Sequence, residues 1–215
     1  MAAGVLFYSQ RPDNADGNTL FLLGREQHYM HWNDSGKWAD FGGGVDMVDE
    51  DVHTTAAREA WEESMGTIHT YDVLLHRLRN GDATVIFDIQ ASDNAGCYRI
   101  YLLPVPYCDY NMMLCRFRSY LRRHKVQILT AEKTSLEWID SRQLVDISQQ
   151  PQSCLRPNFA KSIVEISRHV NLHTLHKVLS PLSQTIGSQP QSQTQPQSQT
   201  IGSQTACSSS SNDIV

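Results

Sequence analysis

The sequence predicts a mixed α/β fold for most of its 215 residues. Three observations carry this. Short apolar or β-branched runs bounded by polar turn segments read as strands. A glycine triplet, Gly42-Gly43-Gly44, opens onto a stretch with helical spacing. Two later stretches repeat apolar residues every three or four positions, the period of a helix with one buried face.

In chain order, Val5–Ser9 and Thr19–Gly24 read as strands separated by the turn-rich loop RPDNADGN. Lys37–Phe41 is extended and leads into the glycines. A helix is predicted from Asp51 to about Met65, with Asp51 as its N-cap and Gly66 as its stop. Thr70–Arg79 forms a shorter helix. Ala83–Gln90 and Cys97–Val105 are strands. Tyr110–Lys125 is a helix whose apolar stripe is Met113, Phe117, Tyr120 and Leu121. Thr134–Ile139 is a strand, followed by a short helix beginning Ser141-Arg142-Gln143-Leu144. Asn158–Leu179 closes the domain as one helix, with Ile163, Ile166, Val170 and Leu175 inward.

Composition narrows the function classes. Lys and Arg number 18 against 23 Asp and Glu, a net charge of −5, which argues against a protein that coats nucleic acid. No stretch approaches the roughly 20 apolar residues of a membrane span, so no membrane partner is expected. The start MAAGVLFYSQRPD has no basic leader or long apolar run, so a cytoplasmic, intracellular location is expected. The five cysteines are odd in number and show no CxxC spacing, which suits a reducing compartment.

Composition changes near Ser180. From Val178 onward there is no Lys or Arg, and Asp213 is the only acid. SQTIGSQ occurs at 183–189 and again at 198–204, around PQSQTQPQ. Such a tract cannot bury enough apolar area to offset its ordering entropy. The sequence therefore divides into a domain at 1–180 and a disordered Gln/Ser/Thr/Pro-rich tail at 181–215.

The chemistry concentrates in GGGVDMVDEDVHTTAAREAWEESMG, residues 42–66. On a helix, Glu59, Glu62 and Glu63 are i, i+3 and i+4 and share one face. Three like charges so placed destabilise a helix, and Arg58 is the one cation close in sequence. A hard divalent cation such as Mg²⁺ or Mn²⁺ prefers oxygen ligands and would remove the repulsion. Taken alone, the cluster reads more simply as a solvated acidic face. The wider spacing changes that: the six residues of Gly44-x5-Glu50-x7-Arg58-Glu59-x2-Glu62-Glu63 arise together by chance in about one chain in 10⁵ at average residue frequencies; Ala60 stands between them.

This pattern resembles the Nudix box, the signature of the Nudix hydrolases. Trp38-Ala39-Asp40-Phe41 before the glycines, and Glu132 six residues ahead of Trp138, are similar to flanking strands of that family. Two positions depart from it. Met65 stands where the box has glycine, and Gly66 follows one residue later, as if the helix ran one residue longer before its left-handed cap. The triplet also leaves open whether Gly43 or Gly44 offers its carbonyl to a metal.

The resemblance implies an α/β/α sandwich with a mixed sheet between helices. It implies metal-dependent hydrolysis of a nucleoside diphosphate linked to another moiety. Glu59, Glu62, Glu63 and the Gly44 carbonyl would hold Mg²⁺ or Mn²⁺. Arg58 would pair with Glu50 to fix the loop against the helix. Glu59, Glu63 and Glu132 are the candidate bases for water. Substrate choice stays open between a small nucleotide derivative and capped RNA. Arg116, Arg118, Arg122, Arg123 and Lys125, with Phe117 and Tyr120 interleaved, are either the solvated side of a helix or an RNA surface at 116–125. Trp32 and Trp38 are candidates to stack on a base. The scattered histidines, His69, His76, His173 and His176 among them, suit ordinary surface positions. A homodimer is compatible with the family, and a Nudix-fold binding module without catalysis is the competing class.

Overall fold

The computed structural model describes residues 1–13, 17–30, 33–83, 85–90, 96–123 and 131–179. The tail at 181–215, Trp32 and Lys125 lie outside these residues. The described part is a seven-stranded mixed sheet with helices on both faces.

β1 (Ala2–Gln10) is the axis of the sheet. On one side it runs parallel to β6 (Cys97–Pro104), which pairs antiparallel with β5 (Val85–Gln90). On the other side its C-terminal part pairs with β2 (Thr19–Glu26). Its N-terminal part diverges from β2, and the segment after Lys37 fills the fork. There β3 (Trp38–Ala39) pairs with β2 and β4 (Phe41–Gly44) pairs with β1. β7 (Lys133–Asp140) closes the free edge of β2. Asp40 sits between β3 and β4, at the fork.

Strand alternation sorts the core into two layers, because successive side chains point to opposite faces. Ala3, Val5 and Phe7 join Leu22, Phe41, Tyr101 and Leu103 on one face, under α1 (Val52–Glu63), α2 (Tyr71–Arg79) and α3 (Tyr110–Arg123). Leu6 and Tyr8 join Phe21, Leu23, Ile100 and Leu102 on the other. That face lies under α4 (Ser141–Ser148) and α5 (Pro157–His169). β1 is thus apolar on both sides, as a central strand must be.

α1 begins where the sequence places it. The Asp51 side chain accepts from the Thr54 N–H at 2.8 Å, a capping bond of the usual kind. Its end differs. The helix stops at Glu63 with Ser64 as cap, rather than running on, and Met65 itself takes the left-handed conformation (φ 53°) ahead of Gly66 (φ 58°). Met65 thus bears the strain that glycine would avoid.

The closing helix also differs from the single rod expected. α5 ends at His169, Val170 is extended (φ −133°), and a 3-10 helix follows over Leu172–Leu179. The break lets Leu172 and Leu175 turn back onto the sheet, and Val170 is only half-buried. In α3, Met113, Phe117 and Leu121 are buried as expected. Tyr120 is instead half-buried and meets Trp61 edge-on at 6.4 Å, tying α3 to the end of α1. Among the described residues no helix is long and apolar enough to cross a membrane.

Candidate metal and catalytic site

The site forms where the glycine strand β4 meets α1. The loop between them is held by Asp49. Its carboxylate accepts from Arg58 Nε at 3.1 Å and Nη2 at 2.9 Å, from the Thr55 hydroxyl at 2.9 Å and from the Asp46 N–H at 2.8 Å. Arg58 holds Asp49 well below the usual carboxylate range, at about 2. The expected Arg58–Glu50 pair is therefore replaced by Arg58–Asp49. Glu50, one residue on, points outward and meets Arg79 at 3.2 Å in an exposed pair.

Arg58 does more than fix the loop. Nη2 donates to the Gly44 carbonyl at 2.9 Å. Nη1 donates to Glu59 Oε1 at 2.9 Å and to Glu62 Oε2 at 3.3 Å. With Asp49, three carboxylates and a backbone carbonyl thus gather about one guanidinium. Glu59 packs against the glycine strand: a Cβ on Gly43 would stand 2.6 Å from Glu59 Oε1. Burial pushes the Glu59 carboxyl up, Arg58 pulls it down, and the charges of Glu132 and Glu62 push it up again. Glu132 is exposed. The Glu62 side chain is half exposed.

Glu63 faces the other way. Its Oε2 accepts from the Gly42 N–H at 2.8 Å, and its Oε1 lies 3.0 Å from Lys133 Nζ. Lys133 is completely buried and donates to Glu26 at 2.6 Å, and Glu26 in turn accepts from Arg156 at 3.1 Å. Arg58 is therefore not the only cation at the carboxylates. Burial pushes the Glu63 carboxyl well above its ordinary value, Lys133 opposes this, and Glu26 adds to it. The lysine was not legible from spacing, since it stands 70 residues beyond Glu63 and reaches it only through the β2–β7 pairing.

A cavity of about 470 Å³ opens beside the glycines on the α5 face. Its wall includes Asp40, Tyr98, Arg156, Phe159 and Lys161. Tyr98 donates to the buried Asp40 at 2.7 Å, and burial pushes the Asp40 carboxyl up.

Trp38, Trp138, His69, His76 and His173 have partners within the fold. Trp38 is half-buried, with the Arg25 guanidinium 6.0 Å from its ring centre. Trp138 donates to the Cys108 carbonyl at 2.9 Å. His69 meets Arg77, His76 meets Asn80 and His173 meets Ser141.

Among the described residues no three or more His, Cys, Asp and Glu side chains stand together in ligand geometry. The donor chemistry around Arg58 nevertheless suits a hard divalent ion. Glu59, Glu62 and the Gly44 carbonyl are oxygen donors gathered about the Arg58 guanidinium, and the Glu62 side chain is half exposed.

No protein-family model matches the chain, and no curated protein sequence does. Solved structures are similar to it. One is the Nudix hydrolase RenU from M. smegmatis, at 19% identity over 78% of this chain and 84% of that one, with a TM-score of 0.44. A mutT/nudix family protein from Listeria innocua is 15% identical over 79% of this chain and 92% of that one, with a TM-score of 0.45. A C. elegans Ap4A hydrolase is 18% identical over 79% and 98%, with a TM-score of 0.41.

Proposed function

We propose that this chain is a metal-dependent pyrophosphohydrolase that cleaves a small nucleotide derivative, a nucleoside diphosphate linked to another moiety. The observation that carries this reading is the gathering of Glu59, Glu62 and the Gly44 carbonyl about the Arg58 guanidinium, with Gly44 also lining the cavity beside β4. Attack of water on an anionic diphosphate needs charge neutralisation and a water held in line. Bound Mg²⁺ or Mn²⁺ supplies the neutralisation and lowers the pKa of water. Glu59 and Glu62 hold the ion, and Arg58 keeps the glycine loop in place through Asp49. Glu132, the exposed carboxylate whose charge acts on Glu59, is suited to accept a proton from water. Arg156 and Lys161 offer cations to the phosphates, while Tyr98 and Phe159 offer ring faces to an apolar group.

The cavity volume favours a small substrate over capped RNA, and it falls in the range of ordinary ligand pockets, roughly 300–1,000 Å³. RNA remains the second reading because Arg116, Arg118, Arg122 and Arg123 are all exposed on α3. On the proposed reading the domain ends near residue 180, and 181–215 takes no part in it.

The test is a screen of nucleoside diphosphate derivatives and capped RNA with Mg²⁺ and Mn²⁺, reading released phosphate or nucleotide. Metal-dependent cleavage of a small derivative, lost on chelation, supports the reading. Cleavage of capped RNA alone contradicts the substrate class, and no cleavage by a metal-loaded chain contradicts catalysis.

A further inference from the structure

Glu62 and Glu63 are adjacent, and box spacing alone would make both of them ligands. Their surroundings differ. A divalent ion such as Mg²⁺ binds through carboxylate oxygens and keeps several waters, so a ligand needs an oxygen that the fold does not already use. Glu59, though its side chain is only 11% exposed, gives Arg58 its Oε1 alone. The Glu62 side chain is 50% exposed, whereas that of Glu63 is 4% exposed with both oxygens engaged.

The cation that holds Glu63 is built in rather than incidental. Lys133 leaves β7 opposite Glu26, at an irregularity in the β2–β7 register. Its aliphatic stem crosses β2 at Gly24, where a Cβ would lie 2.9 Å from Lys133 Cδ, so glycine is what lets the stem pass. Nζ then sits between Glu26 at 2.6 Å and Glu63 at 3.0 Å, with no exposed surface. Arg156 adds a second cation on Glu26 and is paired with Asp34 at 3.5 Å. Within the buried triad one lysine faces two carboxylates, and Arg156 is shared between Glu26 and Asp34.

From this arrangement we infer that Lys133 is a positioning residue that withdraws Glu63 from the metal. Metal binding then falls to Glu59 and Glu62, with Glu132 the nearby exposed carboxylate, and Glu63 serves to lock the glycine strand through the Gly42 N–H. Arg156 also lines the cavity. The ion chain Glu63–Lys133–Glu26–Arg156 therefore joins the box helix to the cavity wall. The inference rests on the metal-site reading above.

The test is Mn²⁺ titration of the full chain, with free Mn²⁺ read by electron paramagnetic resonance. Affinity at such sites follows the number of charged ligands, so Glu59→Gln and Glu62→Gln are each expected to weaken binding at least ~10-fold, and Glu63→Gln to leave it within about 3-fold. Lys133→Met keeps the stem over Gly24 but frees Glu63. Its Mn²⁺ affinity is expected to rise, or a further ion to bind. A Glu63→Gln variant that weakens binding as much as Glu62→Gln overturns the inference, as does a folded Lys133→Met variant with unchanged or weaker binding. If Lys133→Met does not fold, the Glu63→Gln comparison decides. Wild-type chain that binds no Mn²⁺ removes the metal-site reading itself, and this inference with it. Wild-type chain that binds Mn²⁺ while Glu63→Gln does not removes this inference alone.

Discussion

The outer and inner sides of α1 carry the same residue type in opposite circumstances. On the outer side Glu62 is half exposed and shares Arg58 with Glu59. On the inner side Glu63 is buried against Gly42 and Lys133. Of the two outer carboxylates, Glu62 is open to solvent and Glu59 lies beneath it against the glycine strand. The inner one has its charge met by the fold. Burying a carboxylate without a partner is costly, and a buried pair broken on one side is worse than either an intact pair or an apolar replacement. On the proposed reading the inner side governs stability and the outer side chemistry.

The largest expected effect comes from removing the inner cation. Lys133→Ala leaves Glu26 and Glu63 buried together without the ammonium and opens space over Gly24, so unfolding free energy should fall by ~3–5 kcal/mol. Denaturant unfolding of the metal-free chain measures this. A loss under about 1 kcal/mol, the range of surface pairs, would mean that the triad is solvated after all.

On the outer side, Glu62→Gln should lower turnover by at least ~10²-fold, equivalent to about 2.7 kcal/mol, with little change in fold. Glu63→Gln should do the reverse and act chiefly on the melting temperature. Measuring both quantities for both variants sharpens the comparison. If the two variants lose activity and stability in the same proportion, the two sides of α1 are not distinct.

Asp49 and Glu50 give a second contrast one residue apart. Asp49→Asn removes the charge that Arg58 leans on and should cut activity by freeing the loop. Asp49 also predicts an acid limb. Its folded pKa of about 2 lies below the ordinary 3.8, so its stabilisation is present above the ordinary value and is lost as pH falls through about 2. The stability of Asp49→Asn should accordingly change less with pH over this window, as read by unfolding at a series of acid pH values. A slope equal to that of the wild type would show that Asp49 is not the group concerned. Glu50→Gln gives the smallest effect, about 0.5 kcal/mol or less, since the Glu50–Arg79 pair is exposed. A large loss there would restore the expected Arg58–Glu50 partnership.

What the sequence discloses and what it hides follow from the range of the interactions. The α1 start was legible because capping by Asp51 is local. The alternation of β1 and the stripe of Met113, Phe117 and Leu121 were legible because periodicity reports burial directly. The end of α1 is set by Met65, which takes a conformation usually given to glycine, so the helix stops at Glu63 and not at Met65 as the spacing predicts. The break at Val170 lies inside an apolar period that continues past it. The partner of Arg58 was misplaced by one residue because the turn through Asp46–Asp49 aims Asp49 inward and Glu50 outward. Lys133 gave no local signal. Its stem crosses Gly24, its ammonium meets Glu63, and all three are brought together only by the sheet.

The central claim is that the carboxylates gathered by Arg58 hold a catalytic metal. The most direct test pairs metal-dependent turnover with the melting temperature of the metal-free chain, for wild type and Glu62→Gln, on a nucleotide derivative that the wild type cleaves. The account predicts turnover lowered at least ~10²-fold and a melting temperature that holds or rises, because repulsion along the helix face is relieved. Full activity in Glu62→Gln would make the outer carboxylates surface charge and contradict the account.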